Sequence, residues 1–599
     1  MLGAPIDRAR LVRVALGDEQ PDLVLRGGTV VSTPTREVFP ADVLISGERI
    51  AAVATPGEYP SGQAEEVDVG GRFIAPGLID PHVHIESSNL TLTELARAIV
   101  PRGVLSLCED AHEIANVLGL PGIELLVAEG ASLPLNLLLR VPGRVPALPP
   151  HLETSGHSMD LEATLELLDR ADAVCLGGDI NPALLLGADP DQLAKIEATI
   201  ARGKTVGGQL PGFTGRLLDA SIVTGIEDTH VAESVQEVIE QLRRGLRVFL
   251  TPRIDRLPAE EWPAIVAAIR ELGVDTRHLV LCSDDVHPNL LQREGHLDHR
   301  VRLAVWAGFT PVEVIQMATL NAAEHLRIDR DLGSVTPGKR ADLVVLDDLA
   351  SFAVSTVLHG GRIVAEAGHL IDEPPGFTYP AWSRDTIRLA APVGADDLAL
   401  HADGIASAGA TVTARVVVFG GPKTMHTAQL TVEGGVVQPD ASADIASIAV
   451  IERHRQSGAI GRGFVSGLGI SGGAVACTVS HDSHNLFVVG DSHEAMAVAA
   501  NALVEAQGGY CVVVGTEVRA LVPLPIAGLL SDRPLAEVAS GLDDVERALI
   551  DELGCALPYR PIYALNFLCL PNIPDVGVTD QGVIETATME LLSTVVATD

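Results

Sequence analysis

The feature that most constrains this chain is a rhythm that runs from residue 73 to residue 335. Short apolar runs, GVLSLCED, LNLLLRVP, AVCLGGD, KTVGGQL, IVTGIEDTH, LRVFLTP and HLVLCSDD, each end in polar or ionisable residues, and most are followed by a stretch with helical patterning. That alternation specifies βα units and a parallel sheet. The predicted fold is α/β, a (β/α)8 barrel over 73–335. In such a barrel the catalytic groups belong at the C-terminal ends of the strands, which is where the polar clusters fall. Hydrophobic residues make up 47% of the chain and aromatics only 3%. The cores must therefore be built from Ala, Val, Leu and Ile, which suits helices packed on a buried sheet.

The flanks have a different texture. DLVLRGGTVVS and ADVLISGERIAAVA, within 22–56, are β-branched runs punctuated by glycine, and ADLVVLDDL and STVLHGGRIVAEAGHL repeat the pattern at 341–370. Two strand-rich pieces around a long insert predict one small β domain assembled from both flanks, residues 1–72 and 336–375. The proline-rich IDEPPGFTYPAWSRD reads as a linker. Residues 376–599 then form a C-terminal α/β domain, in which VVGDSHEAMAVAANALVEAQGGYCVVVG reads as strand, helix, strand.

With 42 basic and 79 acidic residues the formal charge is -37, which repels phosphate backbones and anionic membranes. The expected partner is a small neutral or cationic molecule or a divalent metal, with no nucleic acid and no membrane. Seven cysteines, an odd number with no CxxC pair, point to reduced thiols in a cytoplasmic protein. The first twenty residues lack the apolar segment of a signal peptide, and no run of 18 uninterrupted apolar residues occurs. Acidic chains of this size commonly assemble as symmetric homo-oligomers.

The strongest local signal is FIAPGLIDPHVHIESS, an apolar run ending in His82-Val83-His84. Side chains two apart on a strand share a face, so both imidazoles can reach one ion. PGLIDPHVHIESS resembles the opening motif of the amidohydrolase superfamily, and its IESS tail resembles adenine deaminases. Four further segments carry the same resemblance: EDAHEIANV at 109–117, with Ala111 where that family usually has Pro; CSDDVHP at 282–288, followed by EGHLD at 294–298; VSHDSHN at 479–485; and LPLPIAGLLSD at 522–532. The Gly-rich VSGLGISGG lacks the lysine of a phosphate loop, and no nucleophile elbow is present.

The resemblance implies hydrolytic deamination of adenine to hypoxanthine and ammonia by a metal-activated hydroxide. It implies metal ligation by His82, His84, Asp284, His230 and Asp179. Asp284 would pass a proton to the leaving amine, Glu113 would protonate N1 of the ring, and His230 would contact metal or developing charge. His112, Asp285, His481 and His484 would line the substrate. The ion implied is Mn2+ or Fe2+, with Zn2+ also compatible.

The chain departs from the family at three places. Gln209 in GGQLPG stands where the family has a metal-binding histidine. The fourth strand offers Asp179 in CLGGDINP instead of a bridging glutamate, with one residue missing. Val231 replaces the glutamate after the sixth-strand histidine. A neutral amide is a poor ligand beside an imidazole, so one firm metal site and a doubtful second are expected. The same departures leave open a related hydrolase acting on another aminopurine or a cyclic amide, or a silent purine-binding protein.

Overall fold

The computed structural model describes residues 6–60, 62–178, 185–252, 257–402, 410–420, 423–557, 560–570 and 576–596. Among these, five parallel strands run side by side in sequence order: Leu78–Val83, Val104–Asp110, Asn136–Val141, Ala173–Leu176 and Thr205–Val206. Three more, Asp228–Thr229, Arg247–Leu250 and Leu279–Leu281, form a second parallel set. The two sets meet at two seams. At one, Glu227 N donates to the Val206 carbonyl at 2.9 Å. At the other, Val83 and Asp284 form a parallel bridge. The result is a curled parallel sheet. Nearly every residue of these strands is buried, which is why they read as apolar runs rather than as an alternating pattern.

Helices cover the outside of the sheet and start where the sequence places caps. Ser234 accepts a hydrogen bond from Glu237 N at 3.2 Å and opens Val235–Arg243, which buries Val238 and Ile239. Thr310 and Glu313 form a reciprocal capping box that opens Pro311–Met317.

The flanking pieces join in one nine-stranded sheet. Five strands precede the parallel set, from Leu23–Ser32 to Phe73–Pro76, and four follow it, from Leu343–Asp348 to His369–Leu370. The halves meet where Leu343–Leu346 pairs antiparallel with Phe73–Pro76. Leu25, Val43, Ile74, Leu343 and Leu358 pack together beneath that junction.

Beyond residue 410 a ten-stranded, mostly antiparallel sheet dominates. Leu486–Gly490, helix His493–Ala506 and Gly509–Val514 form the predicted strand, helix, strand, with the helix packed on the sheet. The proline-rich segment before this region is firmly docked: buried Tyr379 donates its hydroxyl to Glu129 Oε2 at 2.6 Å. Among the described residues, no helix is long and apolar enough to cross a membrane.

The loop after the third parallel strand, residues 152–155, is threaded into the C-terminal region. Asn485 Nδ2 donates to the Thr154 carbonyl at 2.8 Å, Thr154 N donates to Asp580 Oδ1 at 2.9 Å, and Thr579 Oγ1 donates to the Leu152 carbonyl at 2.5 Å. Glu153 is 2% exposed there; burial and the nearby Asp482 carboxylate push its pKa up to about 8. An unfolded chain loses that proton near pH 4.5, whereas the folded chain keeps it until about pH 8. Folding stability therefore falls as pH rises across that window, by an amount on the order of a few kcal/mol. Glu153→Gln, which keeps the neutral shape, is expected to raise the thermal midpoint by about 2–4 °C at pH 8 and to leave it near wild type at pH 5. Equal shifts at both pH values in scanning calorimetry would reject this account.

Candidate active site

The site is assembled at the C-terminal ends of the parallel strands. His82 lies at the end of the first strand and His84 just past it, with ring centroids 4.9 Å apart and planes at 90°. Asp284 follows the eighth strand, and its main chain is tied to the first strand on both sides. Its N–H donates to the His82 carbonyl at 3.1 Å, and its carbonyl accepts from His84 N at 3.4 Å. That clamp holds Asp284 at φ 58°. It also aims Oδ1 at both imidazoles, 3.4 Å from His82 Nε2 and 3.6 Å from His84 Nε2. His230, just past the sixth strand, stacks on His82 at 4.0 Å.

These donors suit a divalent ion. Ligand atoms of His82, His230 and Asp284 lie within 4.8 Å of one another. His82 is fully buried, yet neither ring nitrogen meets a hydrogen-bond partner among the described residues. Buried imidazoles normally find partners, and a ligated cation is the partner this donor set fits. His84 Nδ1 lies 3.2 Å from the Asp110 carbonyl. Donation there would fix the tautomer and present Nε2 toward Asp284 Oδ1.

A second cluster faces the first. Glu113 is fully buried in the first turn of helix His112–Leu118. Its Oε1 is 3.9 Å from His84 Nδ1 and 3.2 Å from Nδ1 of His481, which arrives from the C-terminal region. Burial alone would raise the Glu113 pKa, but the His481 imidazolium beside it holds the carboxyl well below its usual range. Burial likewise opposes a charged His481, and Glu113 outweighs it, lifting His481 above its ordinary value. Phe567 stacks on the His481 ring at 4.6 Å. His484, at φ 55°, is fully buried with both ring nitrogens lacking hydrogen-bond partners among the described residues, and burial pushes it down to about 3.

The remaining expected residues fall around these clusters. The His112 ring is 4.9 Å from His84, and its Nε2 is 3.7 Å from Asp482 Oδ1. Asp285 accepts a hydrogen bond from the Ser87 hydroxyl; burial and then Asp284 raise its pKa. Asp179 lies outside the described residues. Gln209 is half-buried, and Val231 is 2% exposed beside His230.

Sequence reasoning missed five charged residues around these clusters. Arg140, ending the third strand, is fully buried; Nη2 donates to both oxygens of Asp228 at 3.2 Å and Nη1 to the Pro81 carbonyl at 3.1 Å. Despite burial, the Arg140 charge and then His325, 2.6 Å away, hold Asp228 well below the usual carboxylate range. Asp110 is 3.8 Å from His82 Nδ1 and accepts from Gly178 N at 2.9 Å. Asp482 pairs with buried Arg144. The available signal was an arginine or acid closing an apolar run, in LNLLLR and GIEDTH.

Comparison with known proteins gives this geometry a family. Residues 73–364 match the amidohydrolase family, and residues 423–590 match the adenine deaminase C-terminal domain. Adenine deaminase 3 of Rhizobium meliloti is 39% identical over 597 residues, covering 98% of each chain. The adenine deaminase of Moorella thermoacetica is 38% identical and covers 97% of each. Among solved structures, an adenosine deaminase from Xanthomonas campestris with bound zinc covers 59% of this chain and 95% of its own, at 15% identity and a TM-score of 0.45. With near-full-length relatives at this identity, the chain belongs to the adenine deaminase family of amidohydrolases.

Proposed function

We infer that this protein hydrolyses adenine to hypoxanthine and ammonia. The observation that carries the reading is the convergence of a metal-binding donor set and a buried Glu113–His481 pair, in a chain related over 98% of its length to adenine deaminases. The architecture proposed is a closed (β/α)8 barrel over 73–335, a small β domain from 1–72 and 336–375, and a C-terminal α/β domain over 376–599. Support for closure comes from main-chain hydrogen bonds at both seams of the curled sheet.

In this reading His82, His84, His230 and Asp284 hold one divalent ion, with Mn2+ or Fe2+ favoured and Zn2+ compatible. Such an ion lowers the pKa of a bound water toward about 7 and so supplies a nucleophile at neutral pH. Asp284 Oδ1, which faces both imidazoles, would accept a proton from the attacking water and pass it to the departing amine at C6. Glu113 and His481, 3.2 Å apart, share one proton and do not titrate independently: the Glu113 carboxyl donates that proton to N1, and His481 returns it to the carboxylate. His112, Asp285 and His484 border the ring. The occupant is a small neutral base; an acidic surface and the lack of a phosphate loop argue against nucleotides and nucleic acid. A cytoplasmic homo-oligomer fits the reduced cysteines and chain size.

Two measurements test this. His84→Ala removes a ligand, so adenine turnover is expected to fall by more than about 100-fold, with bound metal falling in parallel by elemental analysis. Full activity in a metal-free variant would refute the assignment. Across adenine, adenosine, adenosine monophosphate, other aminopurines and cyclic amides, kcat/KM is expected to be highest for adenine. Faster turnover of the nucleotide, or of a cyclic amide, would transfer the assignment to that substrate.

A further inference from the structure

Arg140 occupies the strand ends with no part in the reaction just described. Its Nη2 sits between the fourth, fifth and sixth strands. It is 3.2 Å from both oxygens of Asp228, and it lies where side chains from the neighbouring strands would otherwise go. A Cβ on Gly207 would stand 2.0 Å from it, and a Cβ on Gly178 would stand 3.3 Å from it and 3.5 Å from His230 Cε1. On the other side Nε is 3.7 Å from Asp110 Oδ2, and that same oxygen is 3.8 Å from His82 Nδ1. A single buried carboxylate thus separates the guanidinium from a proposed metal ligand.

We propose that Arg140 is the resident second cation of this centre: its guanidinium holds the place and the charge that a second divalent ion would otherwise take, so the site carries one metal. The inference rests on the ligand assignment of His82, His84, His230 and Asp284.

Three observations support it. First, Asp110 and Asp228 are buried anions on either side of Arg140, the arrangement that draws in a cation when none is built in. Second, a side chain at Gly177 would meet Asp110 Oδ1 at 2.6 Å and one at Gly207 would meet Arg140. A donor side chain at position 207 and this guanidinium therefore exclude each other, and one at position 177 would collide with the carboxylate that faces it. The glycines of the fourth and fifth strands and the arginine of the third form one arrangement. Third, Gln209, at the position where an imidazole would serve a second ion, offers a neutral amide. A fixed guanidinium cannot be chelated or exchanged, and it repels a second divalent ion brought close to it.

The test is manganese stoichiometry with electron paramagnetic resonance on the full chain, saturated with Mn2+ and desalted. The native protein is expected to hold about one ion per chain with the spectrum of an isolated Mn2+. Arg140→Gln leaves Asp110 and Asp228 without their cation and is expected to rise toward two ions per chain, with exchange coupling between them. Arg140→Lys keeps the charge and is expected to stay near one. Two coupled ions in the native chain, or an Arg140→Gln protein with native circular dichroism that still holds one, would overturn the proposal. The native result stands alone if the glutamine variant does not fold. No manganese in the native chain would overturn the ligand assignment as well, and is thereby distinguished from failure of the Arg140 inference alone.

Discussion

Everything at the site depends on the main-chain clamp between His82, His84 and Asp284. A non-glycine residue at φ 58° costs on the order of 1 kcal/mol and persists only where its surroundings hold it there. Here both polar backbone atoms of Asp284 are spent on the first strand. The same two hydrogen bonds join the eighth strand to the first and turn the carboxylate toward both imidazoles. Sheet curvature and the placing of these donors are thus one constraint. A change that relaxed Asp284 into ordinary backbone conformation would open the seam and misplace the donor together.

Around this clamp the protein buries several carboxylates that water would otherwise solvate: Asp110, Glu113, Asp228, Asp284 and Asp482. Buried charges of one sign are tolerated only when cations face them. Arg140 faces Asp110 and Asp228, Arg144 faces Asp482, and His481 faces Glu113. Such pairs contribute little net stability, but breaking one strands the other charge. They therefore fix which elements meet more firmly than apolar packing would. His481 and Asp482 arrive from the C-terminal region, so the charge pattern of the strand ends is completed only when that region is docked.

What the sequence made legible follows from local physics. The βα rhythm showed because strands covered on both faces must be apolar until they reach the polar end of the sheet, and the nine-stranded sheet was visible as matching strand texture on both flanks. His82 and His84 were legible because period two places them together, and the strand, helix, strand of 486–514 because each element carries its own period. Arg140 was not legible: an arginine closing LNLLLR reads equally well as a side chain reaching for solvent, and only the glycines at 178 and 207, distant in sequence, make room for it inside. Asp482 hid between two histidines, and its partner Arg144 lies 338 residues away. The proline-rich segment read as a linker by composition, but Tyr379 reaches a buried Glu129 that no local pattern announces.

The C-terminal region therefore brings His481 and His484 into one cluster with Glu113. Without it Glu113 would keep its place on the helix after the second strand but would face no imidazole, and a lone buried carboxyl drifts toward its neutral form. The residue 478–485 loop supplies that imidazole, and Phe567 stacks against it while Asn485 ties the loop to the Thr154 carbonyl. In the proposed reaction metal binding falls to the strand ends and the proton supply is shared across the junction, so that chemistry requires both halves to be folded against each other.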